Sequence, residues 1–533
     1  MSNRIEASGG AWDFVIVGSG INSLVCAALL GRTGRRVLVL ERNDRAGGCI
    51  RTDQVTLPGF VHDVLSCWHP LFITSPAYAE LRQDLQRFGL EYCNTDTPTA
   101  IVRDDGSHFV FQRSRPANVR AMNALLAGEG DRWAAGMVEF ERTLELTFTI
   151  LGAEPWSVST LRTILKTWRH HGLQSLLEFG ASGLETARTW LEDNFRTELV
   201  RACIAPWVLH AGQGVEYAGS GQIARVIPFT LETAGAPVVK GGGERLVQAF
   251  EQLIRSQGGQ VIVNADVDRV VVRNGIARGV ATVDGWEYAA REAVICNVTP
   301  GQLYTRLLEE GHVSSAILHQ AQHFRHGRSA MQIHVALREP PRWLHPELNA
   351  AALVHLADGI DSVSRAVNEA DRGLLPASGT IVVGQPAALD PSRVPEGRGM
   401  LWIQILELPR MLKGDAADVI RCPADGLWND ATKEAYANRV MERLARHIPG
   451  LERAVLARRV LSPADLESLN INLVGGDPYG GACTLDQLLL WRPLRGTRKH
   501  RTPVRQLYHI GASTHPGAGL GGGSGYLLAK QLI

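Results

Sequence analysis

The residues that can do chemistry in this chain fall in glycine clusters, with one acid beside the first of them. Gly18-Ser19-Gly20-Ile21-Asn22-Ser23 has the spacing of a phosphate-binding turn. Gly18 allows a sharp exit from a strand, and Gly20 lets backbone approach a pyrophosphate. The helix that follows offers free N–H groups and a partial positive charge. Ser23 stands where Gly or Ala is usual, and it is small enough for helix–strand packing. Glu41 comes at the distance where a carboxylate accepts hydrogen bonds from ribose hydroxyls and disfavours the 2′-phosphate of NADP. A second pair follows in Arg45-Ala46-Gly47-Gly48-Cys49-Ile50-Arg51-Thr52, an element that NAD-only dehydrogenases do not require. Gly241 to Gly243 form a third cluster. Gly517 to Gly525, with six glycines, form a fourth that can lay backbone N–H groups against a flat ring or an anion.

These residues need elements to hold them. Phe14 to Val17 read as a buried parallel strand, Leu24 to Leu30 as a helix, and Arg36 to Leu40 as a second strand ending at Glu41. That strand–turn–helix–strand order, over roughly 30 residues, turns a glycine match into a dinucleotide fingerprint. Leu507 to Ile510 lead a strand into the last glycine loop, and Tyr526 to Ala529 open a closing helix. Gly241 to Gly243 open an amphipathic helix, followed by strand-like runs between Gly259 and Cys296. Residues 120–225 read as mostly helical, and Met331 to Arg338 alternate with period two. In that strand Met331, Ile333, Val335 and Leu337 share one face, and Gln332 and His334 the other.

Composition narrows the function. The chain has 533 residues, too many for one ordinary core, so two domains or two interleaved halves are expected. Lys+Arg is 55 and Asp+Glu 54, a balance that argues against a nucleic-acid partner. The eight cysteines form no CxxC, so no metal site is expected and reduced thiols in the cytoplasm are the simplest reading. Met1 to Gly10 lack the apolar core of a secretory leader, and no apolar run approaches the ~18–20 residues of a membrane-spanning helix.

The motifs resemble the flavoprotein superfamily of amine oxidases and carotenoid-type desaturases. Gly47, Gly48 and Thr52 match the turn that follows the ribose-binding acid in that superfamily; Cys49 stands where Arg is frequent, and Arg51 or Arg45 can substitute. Leu507-Tyr508-His509-Ile510-Gly511-Ala512-Ser513-Thr514-His515-Pro516-Gly517 is similar to the C-terminal flavin motif of the bacterial phytoene desaturase family. More specifically it resembles the branch that holds bacterial carotenoid ketolases and animal pyridine nucleotide-disulfide oxidoreductase domain-containing proteins. Gly475-Gly476-Asp477, Gln487, Arg492-Pro493 and Arg501-Thr502-Pro503 support it.

The resemblance implies an α/β fold: a Rossmann-like FAD-binding domain of the glutathione reductase/amine oxidase type, interleaved with an α+β substrate domain containing a mixed sheet and a helical region. The FAD domain is expected from residues 11–75, 236–300 and 457–533, and the substrate domain from 76–235 and 301–456. The cofactor implied is FAD, with Gly18, Gly20, Ile21, Asn22, Ser23, Glu41, Arg42, Gly47, Gly48, Arg51 and Thr52 around its diphosphate and ribose. Val267 would lie near the adenine, and Gly511, Thr514, His515 and Gly519 near the flavin. All four glycine clusters are expected to meet around it.

A flavin carries the hard chemistry itself, which fits the lack of a triad or nucleophile elbow. An accompanying proton transfer needs a base, and His69, His210, His334 and His515 are candidates by type. The expected activity is a dehydrogenase, desaturase or oxidase taking hydride from a C–H bond of a largely apolar small molecule. Amine oxidation, carotenoid-type ketone formation, or a flavin-binding interaction protein with little turnover are the alternatives. The electron acceptor (oxygen, quinone or another) and the oligomeric state stay open. His334 either lines the substrate cavity or sits on a solvated strand face. Leu161 to His171 are basic and amphipathic, as suits either a helix lying on anionic lipid or an ordinary surface helix packed on the core.

Overall fold

β1 (Trp12–Val17) is buried along its length, as a continuous apolar run predicts for a central parallel strand. Its side chains divide by alternation. Phe14 and Ile16 pack with helices on one side of the sheet, and Val15 and Val17 with a β-meander on the other. α1 (Ile21–Gly31) and β2 (Val37–Leu40) complete the first unit, with Val17 opposite Leu40 in parallel register. The computed structural model describes residues 10–533, so the polar stretch before Gly10, read above against a secretory leader, lies outside it.

The first sheet has a parallel centre of five strands: Gln260–Ile262, β2, β1, Glu287–Asn297 and Leu507–Ile510. Glu287–Asn297 serves two neighbourhoods. Its first half pairs antiparallel with Ile276–Thr282, which continues to Val267–Arg273. Its second half lies between β1 and the C-terminal strand, so Val294 faces both Val15 and Leu507. Three helices cover the opposite face: α1, Glu244–Ser256 and Gly523–Leu532. Gly525 lets the last of these touch α1, because a Cβ there would overlap the carbonyl of Asn22.

A second, mixed sheet runs Val455–Leu461, Ser329–Leu337, Gly399–Leu408, Ile381–Gly384, Leu353–Leu356, Thr99–Val102, His108–Phe111. Every pair is antiparallel except Leu353–Leu356 with Thr99–Val102. Val455–Leu461 belongs to this sheet, so the first sheet's last segment begins after Leu461, not at 457; the bulk of Val460 and Leu461 is buried here. Met331, Ile333, Val335 and Leu337 pack with helix Asp430–Ala445. Gln332 and His334 point the other way, towards the first sheet's loops, where they bond the carbonyls of Leu65 and Val64. The strand is buried on both faces, which removes the solvated-face alternative for His334.

A buried ion network ties the segments together. Arg393 is fully buried and donates to Asp63 Oδ2 at 2.7 Å, Asp390 Oδ2 at 3.2 Å and the Val239 carbonyl at 2.6 Å. Each charge is out of water, so its cost is offset only by these partners. The Arg393 guanidinium and the hydrogen bonds from Gly243 and Thr52 hold the Asp63 carboxyl below its usual range against the opposing effect of burial.

The helical region includes Arg115–Leu125, Glu129–Arg142, Ala187–Asn194 and Ser220–Ala234, with Trp133 and Trp190 in its core. Helix Val158–Ser182 is kinked at Gly172 and leaves several large apolar side chains exposed. Val158, Leu161, Trp168 and Leu173 are 65%, 56%, 49% and 60% exposed. Among the described residues, no helix is long and apolar enough to cross a membrane.

Replacing Arg393 by Leu strands two buried carboxylates. Urea denaturation of the R393L variant should show a loss of about 3–5 kcal/mol; a loss within error of zero would mean the network does not join the segments.

Candidate active site

α1 begins at Gly20, in extended conformation, and no side chain caps it; its first turn carries no acid. The opposite holds for Glu244–Ser256. The turn that opens it gives Gly241 N–H to Asp390 Oδ2 at 2.7 Å and Gly243 N–H to Asp63 Oδ1 at 2.7 Å, and Glu244 N–H goes to Thr52 Oγ1 at 3.0 Å. Protein carboxylates already fill the place an anionic ligand would take. Gly241 to Gly243 therefore stand apart from the cavity, correcting the expectation that all four glycine clusters meet around one cofactor.

A cavity of about 380 Å³ lies beyond the carboxyl ends of the parallel strands and reaches the second sheet. Open α/β sheets bind ligands at such ends. Gly18, Gly20, Ile21 and Asn22 line it, as do Glu41 and Arg42 and the pair Gly47-Gly48. Gly18 has φ +84°, and a Cβ on it would meet the Asn297 carbonyl oxygen at 3.0 Å. Glu41 binds the first two clusters together: its Oε2 accepts from Ser19 N–H at 3.0 Å and Ser19 Oγ at 2.6 Å, and Ser19 Oγ accepts from Gly47 N–H at 3.0 Å. Oε1 accepts from Asn43 N–H at 3.0 Å. Val267 lines the same end, where its carbonyl accepts from Arg306 at 2.9 Å. Asp266 lies 3.4 Å from Arg42.

Other predicted residues stand behind the wall. Ser23 Oγ accepts from Asn297 Nδ2 at 2.8 Å, and Thr52 Oγ1 donates to Asp63. Arg51 turns to Asp44 and Asp53. Gly519 and Leu520 reach the cavity, but Gly511 gives its N–H to Ser524 Oγ, and Thr514 and His515 line a separate small pocket. Arg492 fixes this loop by donating to the carbonyls of Ala512 and Tyr479.

The histidine candidates are reordered. His515 Nε2 is engaged with the Ala153 carbonyl at 2.7 Å, His69 Nδ1 with the Tyr92 hydroxyl at 3.1 Å, and His334 with Val64. None of the three lines the main cavity, because each ring is drawn to a partner behind it. His210 does line it, with Nε2 3.0 Å from His355 Nε2. Burial pushes His69, His210, His334 and His515 down to about 4, so all are neutral at pH 7.

Motif reading missed Asn297 and the far compartment. Asn297 ends a central parallel strand beneath Gly18 and Gly20, a position the strand-end rule would flag. The far compartment has walls of Trp68, Trp207, Trp402, Leu231 and Leu406, with Gln332 and Gln404 between them. The only acids lining the cavity, among the described residues, are Glu41 and Asp266, both at the end nearest the first sheet.

A dinucleotide turn opening into an apolar compartment defines a dinucleotide-dependent oxidoreductase. The chain belongs to the flavin containing amine oxidoreductase family, whose profile matches residues 24–523. It is thus an FAD-dependent oxidoreductase, and its mixed α/β fold with two large sheets is consistent with an FAD-binding domain plus a substrate domain. It is 26% identical to mouse pyridine nucleotide-disulfide oxidoreductase domain-containing protein 2, over 96% of this chain and 92% of that one. It is 24% identical to one of the subunits of limonene dehydrogenase from Castellaniella defragrans, over 98% and 94%. An oxidoreductase structure from Methanosarcina mazei superposes with TM-score 0.61 at 15% identity, over 98% of this chain and 100% of that one.

Glu41→Ala removes the acceptor that joins both turns. Titration of the apoprotein with FAD should show at least ~10-fold weaker binding, the scale of one or two charge-assisted hydrogen bonds; unchanged affinity would place the nucleotide elsewhere.

Proposed function

We propose that this flavoenzyme is a dehydrogenase of the desaturase type that acts on a largely apolar small molecule. The observation that carries the reading is the continuity of one cavity from the uncapped α1 N-terminus and Glu41 to a tryptophan-walled compartment without a carboxylate. An ammonium substrate would enter that compartment with no counter-charge, which sets amine oxidation second despite the family's description.

The residues present fit FAD. Gly20, Gly48 and the start of α1 form an anion cradle that a Cβ would crowd, since one on Gly48 would lie 3.1 Å from Gly20 Cα. We assign the diphosphate to that cradle, a ribose to Glu41, and the adenine to the neighbourhood of Asp266 and Val267. Backbone around Ser513 and Gly519 borders the ring end. When bound, FAD supplies an acceptor for hydride from a substrate C–H bond. The protein's part is to hold that bond in place and keep water out. The three tryptophans and the leucines do the second, and the rigid second sheet beneath Gln332 and Trp402 does the first.

Helix Val158–Ser182 supports peripheral contact with an anionic membrane, the natural store of an apolar substrate. Leu161, Leu165 and Trp168 are exposed alongside Arg162, Lys166 and Arg169, the composition of an interfacial helix. The bond from His515 to Ala153 joins this arm to the loop that carries Gly519 into the cavity.

Two measurements test these assignments. Mixed anaerobically with the FAD-loaded protein, a cyclic or polyene terpenoid should bleach the flavin absorbance, whereas a primary alkylamine should not. Bleaching by amines alone would replace the reading with amine oxidation. A flavin that nothing reduces, together with a stable protein partner, would favour the interaction-protein alternative. In flotation, the protein should rise with phosphatidylglycerol vesicles and remain below with neutral ones, and L161D/W168D should abolish the difference; wild type that never floats rules out lipid contact.

A further inference from the structure

The apolar compartment holds a small polar station that a pure hydrocarbon would leave unused. His210 lines the cavity, and its Nε2 lies 3.0 Å from His355 Nε2. A bond between two like nitrogens needs one proton between them, so whichever ring supplies it fixes what the other can do. His355 lies fully buried on strand Leu353–Leu356, with Nδ1 3.4 Å from the Thr99 hydroxyl. When that hydroxyl donates, His355 presents Nε2–H to His210, and His210 keeps its proton on Nδ1. When His355 Nδ1 carries the proton instead, His210 gives its Nε2–H to His355 and keeps a lone pair on Nδ1. Among the described residues His210 bonds only through Nε2, so its Nδ1 can serve a ligand as donor or as acceptor.

The neighbouring wall repeats the signal. Gln332 Oε1 and Trp207 Nε1 belong to buried residues that line the cavity, and neither atom has a partner among the described residues. Trp207 lies against His210 at 4.6 Å between ring centres, tilted by 31°, and meets His355 edge-on at 4.9 Å, which restricts both imidazoles. Burial without a partner is costly for such groups, so a ligand that meets them gains specificity over one that does not. Both imidazoles are neutral near pH 7, since burial pushes His210 down to about 4 and, together with the neighbouring His210, holds His355 well below the usual imidazole range. A neutral pair with no acid nearby suits neither an ammonium nor a carboxylate.

Resting on the dehydrogenase reading above, we propose that the substrate carries one neutral oxygen, a hydroxyl or carbonyl, which His210 holds by a hydrogen bond from or to Nδ1. His355 acts through His210 as a positioning residue. The substrate class is therefore a singly oxygenated terpenoid-like molecule and not a bare hydrocarbon.

The test uses three probes of one carbon skeleton, limonene, carveol and carvone, with the FAD-loaded protein. Dissociation constants come from perturbation of the flavin absorbance and of tryptophan fluorescence. Wild type should bind the alcohol and the ketone at least ~10-fold more tightly than the hydrocarbon, as loss of a buried hydrogen bond predicts. His210→Phe should bring the three within about twofold of one another, and His210→Asn should restore part of the preference. FAD content should stay at the wild-type level in both variants. Equal affinities in wild type, a preference that survives His210→Phe, or failure of all three probes to bind would overturn the proposal. Failure of the underlying reading looks different: a protein that binds no FAD, or one whose flavin only amines reduce.

Discussion

A helix that starts at a glycine with nothing to cap it leaves its first backbone donors for a ligand, and this one constraint organises the chain. No side chain caps the helix at Gly20, and Glu41 is turned to Ser19 and Asn43. The turn at Gly241 to Gly243 looks equivalent in sequence but is closed by Asp63, Asp390 and Thr52. One glycine turn leaves its helix uncapped, as the proposed diphosphate site requires; the other is a joint in the scaffold, where Arg393 neutralises the carboxylates that fill it.

That division of labour explains what the sequence makes legible. The β1–α1–β2 unit is readable because its signals are local: a buried apolar run, glycines at the turn, and an acid at the end of the next strand. The mixed second sheet is legible only in part. Alternation shows which residues of Ser329–Leu337 share a face, but burial of both faces depends on helix Asp430–Ala445 on one side and the loops near Val64 on the other. Gly241 to Gly243 misled because glycine serves equally for ligand approach and for close packing. The deciding groups, Asp63 and Asp390, lie far away in the chain.

The histidines teach the same lesson. His515 stands in a recognisable motif, yet its ring leaves the cavity to bond Ala153. His210 stands in no motif, and its place follows from His355, on a strand that only the sheet order brings near. Residues of the glycine turns cluster in short segments and are readable; those that wall the far compartment come from the second sheet, the helical region and the loop at Trp68, and only packing collects them. The exposed apolar side chains of Val158–Ser182 belong to the same half.

The central claim is that the uncapped start of α1 is the diphosphate site. Gly20 lies in extended backbone that any residue adopts, so Gly20→Asp installs a capping carboxylate without strain at φ and puts a negative charge where the phosphates belong. The direct measurement is the FAD dissociation constant of this variant, set beside the thermal stability of its apoprotein. FAD binding should be weakened about 100-fold or more, from lost donors and added repulsion, while the apoprotein stays close to wild-type stability, the new cap offsetting the 3.2 Å approach of the added Cβ to Asn297 Nδ2. FAD bound as tightly as by the wild type would contradict it.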